Sequence, residues 1–220
     1  MGLITSATTP ILFSSLSRLQ NDKEGFQRMF FKFQKIIGML VIPLGVGIFC
    51  YSDFATAILL GDQWMEAAGF IGLWGLTSSI TVVWGHYCSE VYRSMGRPKL
   101  SVLSQILHII FLWPTVLVSV HHGFEVLYIS RSLIRIQGII VNIVLMYLVI
   151  RISPWKMIIN VMPSILAAFI MFIAAYILQS ISNSICWTVL SVIVCIAVYG
   201  SVIFMFPIER GELCKLMKKK

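Results

Sequence analysis

Two arginines, Arg131 and Arg135, lie inside a long apolar run of the sequence. Insertion scales give a cost of about 2.5–3.5 kcal/mol for an arginine at the centre of a membrane helix. A spacing of four residues places both side chains on one helix face, which continues through Tyr128 and Asn142. Because a guanidinium binds phosphate through two parallel hydrogen bonds, this polar stripe predicts an anion site within the membrane.

A structural role is the alternative for both arginines. They would then form salt bridges between helices, or extend toward the headgroups as long basic side chains do. Arg135 lies about 14 Å from the start of its run at Val126, which is too deep to reach the headgroups. No acidic residue lies deep within another apolar run. We therefore favour a water-filled cavity lined by these arginines.

Two further polar pairs fall inside apolar runs. Gln105 and His108 lie near the start of the third run, and His86 and Glu90 lie near the end of the second. Such groups in a membrane helix can relay protons or control a pathway, so these four residues are candidates for a gate or for ion coupling. The alternatives are a hydrogen bond across a helix interface for the first pair and an anchor at the headgroups for the second.

Neither a metal site nor a cofactor is predicted. The adjacent His121 and His122 have no third ligand nearby, and the five cysteines lack the spacing of metal ligands. The sequence also lacks the Gly-rich phosphate-binding loops and the motifs of hydrolases and metalloproteases. We therefore expect that the chain is not an enzyme.

The composition is that of a membrane protein. The chain has 220 residues, of which 58% are hydrophobic and 12% charged, whereas charged residues make up about a quarter of a soluble domain. Apolar runs of about 20 residues predict membrane-spanning helices, since barrel strands would alternate in polarity. The predicted fold is an all-α, polytopic membrane helix bundle with six transmembrane helices and a partial N-terminal helix. The six runs are Ile36–Leu60, Ala67–Val91, Leu100–Val120, Val126–Ile150, Met157–Gln179 and Ile185–Phe206.

The remaining Lys and Arg residues are confined to every second segment between these runs. Basic loops stay on the cytoplasmic side, so the pattern predicts a cytoplasmic C-terminus. The net charge of +8 is concentrated at the ends of apolar runs, which favours anionic membrane lipids over nucleic acid as partners. The basic segments are 18–35, 93–99, 151–156 and 207–220, and the segments without Lys or Arg are 53–66, 121–125 and 180–184.

The chain divides into three parts, residues 1–35, 36–206 and 207–220. The first part begins with an apolar segment that is too short to cross a membrane. Either this segment lies in the membrane interface or the chain begins within a larger protein, and we favour the second interpretation. It continues with an amphipathic helix on the cytoplasmic surface. The second part is the six-helix bundle, and the third is a basic cytoplasmic tail.

Sequence features also predict irregularities within the spans. Pro43, Pro114 and Pro163 are expected to kink three of the helices, because proline removes one backbone hydrogen bond. Ser52 and Asp53 can end the first span early. In that case the residues that follow, up to Leu60, would form a short helix at the membrane interface.

Several short segments resemble polysaccharide-type flippases of the multidrug/oligosaccharidyl-lipid/polysaccharide exporter superfamily. Residues 11–23, ILFSSLSRLQNDK, are similar to the phrase L-F-P-x-L-S-R-L-Q-x-D that ends a helix in this family, with Ser14 at the usual proline position. Further similar segments follow in the family's order along nearly the whole chain. They are Pro43–Gly47, Gly61–Trp64, Tyr92–Lys99, and the pair Pro163 and Met171.

The resemblance implies the C-terminal half of a bacterial inner-membrane flippase, since family members are about twice as long. Such proteins move undecaprenyl-diphosphate-linked oligosaccharides to the outer leaflet, and Arg131 and Arg135 would face the pyrophosphate or acidic sugars. Implied partners are the missing N-terminal bundle or a second copy, and a polysaccharide polymerase and glycosyltransferases. The alternatives are a cation-coupled drug antiporter of the same superfamily, a membrane enzyme such as a polymerase, and an inactive fragment.

Overall fold

The computed structural model describes residues 2–182 and 184–206, and helices account for nearly all of them. No strand occurs in this part of the chain, so the predicted all-α class is confirmed. The predicted basic tail, residues 207–220, lies outside the described residues. The α-helices are α1 Gly2–Ser17, α2 Lys23–Cys50, α3 Ser52–Leu59, α4 Ala68–Thr81, α5 Tyr87–Ser94, α6 Pro98–Val120, α7 Phe124–Leu145, α8 Pro154–Ile159, α9 Met162–Gln179 and α10 Ile185–Met205.

Six helical stretches within the described residues are long and apolar enough to cross a membrane. This number confirms the six predicted spans. Two of the stretches combine several helical segments, because the backbone remains helical between them. The stretches are Lys23–Cys50, Asp62–Ser94, Pro98–Val120, Phe124–Ile150, Met162–Gln179 and Ile185–Met205.

The first span differs from the prediction at its start. We expected a separate surface helix that ends near Lys35, but α2 continues without a break from that segment into the span. The Oδ1 atom of Asp22 accepts a hydrogen bond from the backbone N of Gly25 at 3.0 Å and so caps the helix. Pro43 lies inside α2 and does not end it. The early end of this span is confirmed, because α2 ends at Cys50 and the short α3 follows.

The fifth span also begins later than predicted. Instead of one helix from Met157, the structure has the short α8 and then α9, with a break at Asn160 and Val161. Pro163 therefore lies in the first turn of α9, where its missing N–H is not needed, and it does not kink a helix interior. Pro114 lies inside α6 as predicted.

Two π-helical segments interrupt the spans. Val82–His86 joins α4 to α5, and Met146–Ile150 follows α7. Each segment inserts wider turns into a membrane helix, and such insertions occur frequently at functional sites. Their positions had no counterpart in the sequence predictions.

Small residues bring α2 and α4 into close contact. A Cβ atom placed on Gly45 would lie 2.3 Å from Oγ of Ser79, and one placed on Gly75 would lie 2.7 Å from Cγ2 of Ile48. Glycine and serine allow such approaches in membrane bundles, where van der Waals packing drives helix association. α9 packs on the same α2, whereas α6 and α7 pack against each other beside α4 and α5.

The N-terminal helix α1 is an integral part of the bundle. It packs mainly against α5, and its Leu12 and Leu16 are fully buried. The hydroxyl groups of Thr8 and Tyr87 are hydrogen-bonded at 2.6 Å between the two helices. α1 is therefore held against α5 both by apolar packing and by a hydrogen bond.

Candidate functional site

A cavity of about 500 Å³ lies between the α4–α5 stretch, α6 and α7. Six of the eight candidate residues chosen from the sequence line it, although they come from three different spans. The other polar residues of the lining are small hydroxyl-bearing ones, so the wall is polar over much of its surface. The six candidates are His86, Gln105, His108, Arg131, Arg135 and Asn142, and the hydroxyl residues are Thr81, Ser89, Ser101 and Ser104.

The cavity occupies one half of the bundle. Its residues on α6 lie in the first half of that helix, and its residues on the α4–α5 stretch lie in the second half. Both positions are close to the basic loop that contains Arg93, Arg97 and Lys99. Arg135 lies about 16 Å along α7 from Phe124, near the middle of its span. The arginines therefore close the deep end of the cavity, and neutral polar residues line the end near the basic loops.

Arg135 is held by two residues of α4. Its Nη1 donates a hydrogen bond to Oγ of Ser78 at 2.5 Å, and its guanidinium lies 3.5 Å from the ring centroid of Trp74. The guanidinium of Arg131 lies 5.6 Å from the same ring. A tryptophan face attracts cations, by about 2 kcal/mol or more where water is excluded. α4 thus fixes both guanidinium groups without neutralising them.

Neither arginine forms an ion pair with a carboxylate of the described residues. The structural alternative of a salt bridge between helices is therefore absent from this part of the chain. A ring and a hydroxyl group occupy only part of the hydrogen-bonding capacity of Arg135, which has five N–H donors. The remaining donors and the full positive charge are available to an anion in the cavity.

Asn142 lines the cavity but its side chain is largely committed. Its Nδ2 donates to the carbonyl of Gly138 at 2.9 Å, and the hydroxyl of the fully buried Tyr92 donates to its backbone and side-chain oxygens. Tyr92 is in α5, so these bonds join α5 to α7 beside the cavity. Asn142 therefore links two helices of the wall, and its predicted role in binding substrate stays a prediction.

His108 pairs with a residue that the sequence predictions did not include. Its Nδ1 lies 3.3 Å from Oε1 of Gln137, while Nε2 of Gln137 is buried and has no hydrogen-bond partner among the described residues. Gly138 lets the imidazole approach α7, since a Cβ there would lie 3.3 Å from Nδ1. His108 and Gln137 thus form a polar contact across the α6–α7 interface, as the alternative interpretation of His108 required.

His86 and Glu90 have different surroundings although they are four residues apart. His86 is exposed toward the cavity, and its Nε2 lies 3.3 Å from Oγ1 of Thr9 in α1. Glu90 is buried outside the cavity and accepts a hydrogen bond from Nη1 of Arg93 at 3.1 Å. The structure therefore separates this predicted pair, and Glu90 forms a salt bridge at the end of α5.

Tyr128 also lies outside the cavity. Its ring is 6.3 Å from that of Phe70 and 5.5 Å from that of Phe124, so it belongs to an aromatic cluster between α4 and α7. Its hydroxyl lies close to Gly69, where an added Cβ would approach it to 2.9 Å. The helix face that carries the arginines turns away from the cavity before it reaches Tyr128.

Sequence reasoning missed Trp74 and Ser78, the two residues that hold Arg135. Tryptophan facing lipid and serine at helix interfaces are both common in membrane helices, so neither residue type indicates a functional site by itself. The serines of α6 offered a clearer signal. Ser101, Gln105 and His108 recur at helical spacing, which places one polar stripe on an otherwise apolar helix.

Comparisons with known proteins give one match. No curated protein and no solved structure matches the chain. The described residues contain no cluster of His, Cys, Asp and Glu suited to a metal ion. Residues 1–69 match the family described as "Polysaccharide biosynthesis protein", so this part of the chain, which includes α1, α2 and α3, is similar to proteins of polysaccharide biosynthesis.

Proposed function

We propose that this multi-pass membrane protein moves a lipid-linked oligosaccharide across the bacterial inner membrane for polysaccharide biosynthesis. The carrier would be a polyprenyl diphosphate such as undecaprenyl diphosphate. The observation that carries the proposal is the pair Arg131 and Arg135, which line a polar cavity at the depth of the hydrocarbon without a carboxylate partner. The match of residues 1–69 to a polysaccharide biosynthesis family supports the same pathway.

The arrangement of charge suits a diphosphate that is attached to a sugar. Two guanidinium groups on one helix face can bind the two phosphates, because each guanidinium presents parallel N–H donors to phosphate oxygens. The neutral hydroxyl, amide and imidazole groups toward the basic loops can bind sugar hydroxyls by ordinary hydrogen bonds. With the orientation predicted from the loop charges, the cavity opens toward the cytoplasm, where lipid-linked sugars are assembled.

Translocation would follow an alternating-access mechanism, in which one bundle moves against another around a fixed site. The second bundle would be an N-terminal half of a longer protein or a second copy of this chain. Pro43 and Pro114, which lie inside α2 and α6, are candidate bending points. A polysaccharide polymerase and glycosyltransferases are the expected functional partners.

The cavity does not favour a cation-coupled drug antiporter. Such a protein needs a carboxylate in its binding site to hold a cation, and no Asp or Glu among the described residues lines this cavity. The nearest candidate, Glu90, is bound to Arg93. The lining instead carries two arginines, Arg131 and Arg135, which attract anions and repel cations.

The proposal is tested by binding of polyprenyl diphosphate to the purified chain in detergent. We expect farnesyl diphosphate to bind more tightly than farnesyl monophosphate, and farnesol not to compete. The variant Arg135→Gln should lose the preference for diphosphate, whereas Lys99→Gln, at an exposed position in the first turn of α6, should keep it. Equal binding of all three lipids, or an unchanged preference in Arg135→Gln, would contradict the proposal. Replacement of Arg135 in the native gene should likewise reduce surface polysaccharide.

A further inference from the structure

A second pocket lies at the basic-loop end of the bundle, apart from the central cavity. It is formed between the first half of α2 and the short α8, and the described residues that line it are Phe31, Lys156, Ile159 and Asn160. None of them lines the central cavity. The pocket therefore combines two apolar side chains with one cation and one amide.

The amide of Asn160 has a fixed orientation. Its Nδ2 donates to the backbone carbonyl of Phe31 at 2.8 Å and to Oε1 of Gln34 at 3.2 Å. Gln34 is itself buried, so these bonds are shielded from water. Because both donors of the amide are used, its Oδ1 remains as an acceptor that has no donor among the described residues. A ligand in the pocket would therefore meet a carbonyl-type acceptor at this position.

Lys156 supplies the positive charge. Its side chain is exposed and has no hydrogen bond or ion pair within the part of the chain that the structure describes. It is one residue from Met157, which is fully buried and anchors α8 against the bundle. The backbone that carries the ammonium group is thus held in place while the group itself is free to bind an anion.

The surroundings of α8 are those of a membrane interface. Trp155 is 68% exposed and Ile159 is 48% exposed, on a short helix that contains Lys156 and follows Arg151. Tryptophan and lysine are enriched where the hydrocarbon meets the headgroups. An apolar wall beside a lysine at this level suits a ligand whose anionic head is attached to hydrocarbon, and basic pockets between membrane helices on the cytoplasmic side bind such heads.

We propose that this pocket binds the headgroup of an anionic phospholipid of the cytoplasmic leaflet. Lys156 binds the phosphate, Oδ1 of Asn160 accepts a hydrogen bond from a headgroup hydroxyl, and Phe31 and Ile159 contact the start of the acyl chains. Phosphatidylglycerol carries both a phosphate and hydroxyl groups that can donate hydrogen bonds. Phosphatidylcholine has the phosphate but no donor, so the acceptor of Asn160 discriminates against it.

A bound headgroup would also be connected to the central cavity. Gln34, which accepts from Asn160, donates from Nε2 to the carbonyl of Val83 at 3.5 Å. Val83 belongs to the π-helical segment Val82–His86, whose last residues line the central cavity. Trp84 of the same segment donates to the carbonyl of Met157 in α8 at 3.3 Å. The lipid pocket and the wall of the cavity therefore share one hydrogen-bonded support.

The test is a titration of the purified full chain with phosphatidylglycerol in detergent, followed by native mass spectrometry. The lysine contribution corresponds to about a fivefold change in affinity, so Lys156→Gln should bind the lipid about fivefold more weakly. Lys156→Arg should retain binding because it keeps the charge. Lys99→Gln replaces an exposed lysine in the first turn of α6; it serves as the matched control and should bind like the parent chain.

The remaining arms separate the possible ligands. Phosphatidylcholine should bind less tightly than phosphatidylglycerol both to the parent chain and to Lys156→Gln, because the acceptor of Asn160 is intact in both. Inorganic phosphate should neither bind nor displace the lipid, and displacement would assign the pocket to a free anion and overturn the lipid assignment. Equal loss of affinity in Lys156→Gln and Lys99→Gln would show only a general surface attraction and would also overturn the proposal. None of these outcomes depends on transport.

Discussion

Replacement of Arg135 by glutamine separates a structural from a functional role of this residue. The change removes the stacking on Trp74, worth about 2 kcal/mol in a desolvated site, and the charged hydrogen bond to Ser78, worth about 1.5–3 kcal/mol. It also removes the cost of about 2.5–3.5 kcal/mol for an arginine at mid-membrane. These contributions largely cancel, so we expect the free energy of unfolding to change by only about 0–2.5 kcal/mol.

Two measurements on the same preparations check this reasoning. Thermal unfolding in detergent should place Arg135→Gln within a few degrees of the parent chain, while binding of farnesyl diphosphate should fall at least tenfold. Arg131→Gln is the informative comparison, because its guanidinium lies farther from the ring of Trp74, at 5.6 Å. It should lose binding with an even smaller effect on stability.

A different pair of results would refute the interpretation. If Arg135→Gln unfolds far more easily than the parent chain and the folded fraction still binds diphosphate normally, the arginine serves the packing of α4 against α7. The stabilisation from the stacking and the hydrogen bond would then be much larger than the cost of removing the charge from water. The cavity would have to bind its ligand without this residue.

Three further substitutions test other contacts. Trp74→Leu should lower stability by about 2 kcal/mol and weaken diphosphate binding, because both guanidinium groups lose their ring, whereas the exposed Trp113 should tolerate the same change. Gly45→Ala should cost about 1–3 kcal/mol in thermal unfolding, since its Cβ would lie 2.3 Å from a serine oxygen, and Gly47→Ala, with open space around it, should cost nothing. Tyr92→Phe should cost about 1–3 kcal/mol, because it leaves a buried amide oxygen of Asn142 without its donor; an unchanged unfolding temperature would contradict this role.

The spans and the arginine stripe could be predicted because each depends on local sequence. An apolar run of sufficient length must be helical in a membrane, and a spacing of four residues fixes a shared face. His86, Gln105 and Arg135 were each chosen for polarity at an unfavourable position. These residues meet in one cavity because of the way three spans pack together. The periodicity within one span carries no information about this packing.

The errors arose where polarity was taken as a sign of backbone structure. The change from charged to apolar residues near Lys35 suggested a turn, yet α2 continues through it. A change in side-chain polarity does not interrupt the backbone hydrogen bonds of a helix. The break before α9 has the opposite origin. There the sequence remains apolar, but Asn160 bonds to the carbonyl of Phe31 in α2 and Pro163 starts a new helix. The bond from Asn160 to Phe31 joins residues far apart in the chain and cannot be deduced from the local sequence.

The two misplaced candidates have a common cause. Tyr128 and Glu90 share a helix face with residues of the cavity, but each is at an end of its stripe. A helix face rotates by about 20° over seven residues relative to a strict repeat, and the packing of neighbouring helices also changes along its length. The central residues of a stripe were therefore predicted better than its ends.

The depth of the arginine pair has an electrical consequence. An elementary charge that crosses a membrane potential of 100 mV exchanges about 2.3 kcal/mol with the field. In the proposed orientation, with the cytoplasm negative, the field favours by about 2 kcal/mol the movement of a doubly charged anion from the cytoplasmic face to Arg135, about halfway across. Occupancy of the cavity from the cytoplasmic side would then rise with the membrane potential and fall about thirtyfold when the membrane is depolarised by that amount.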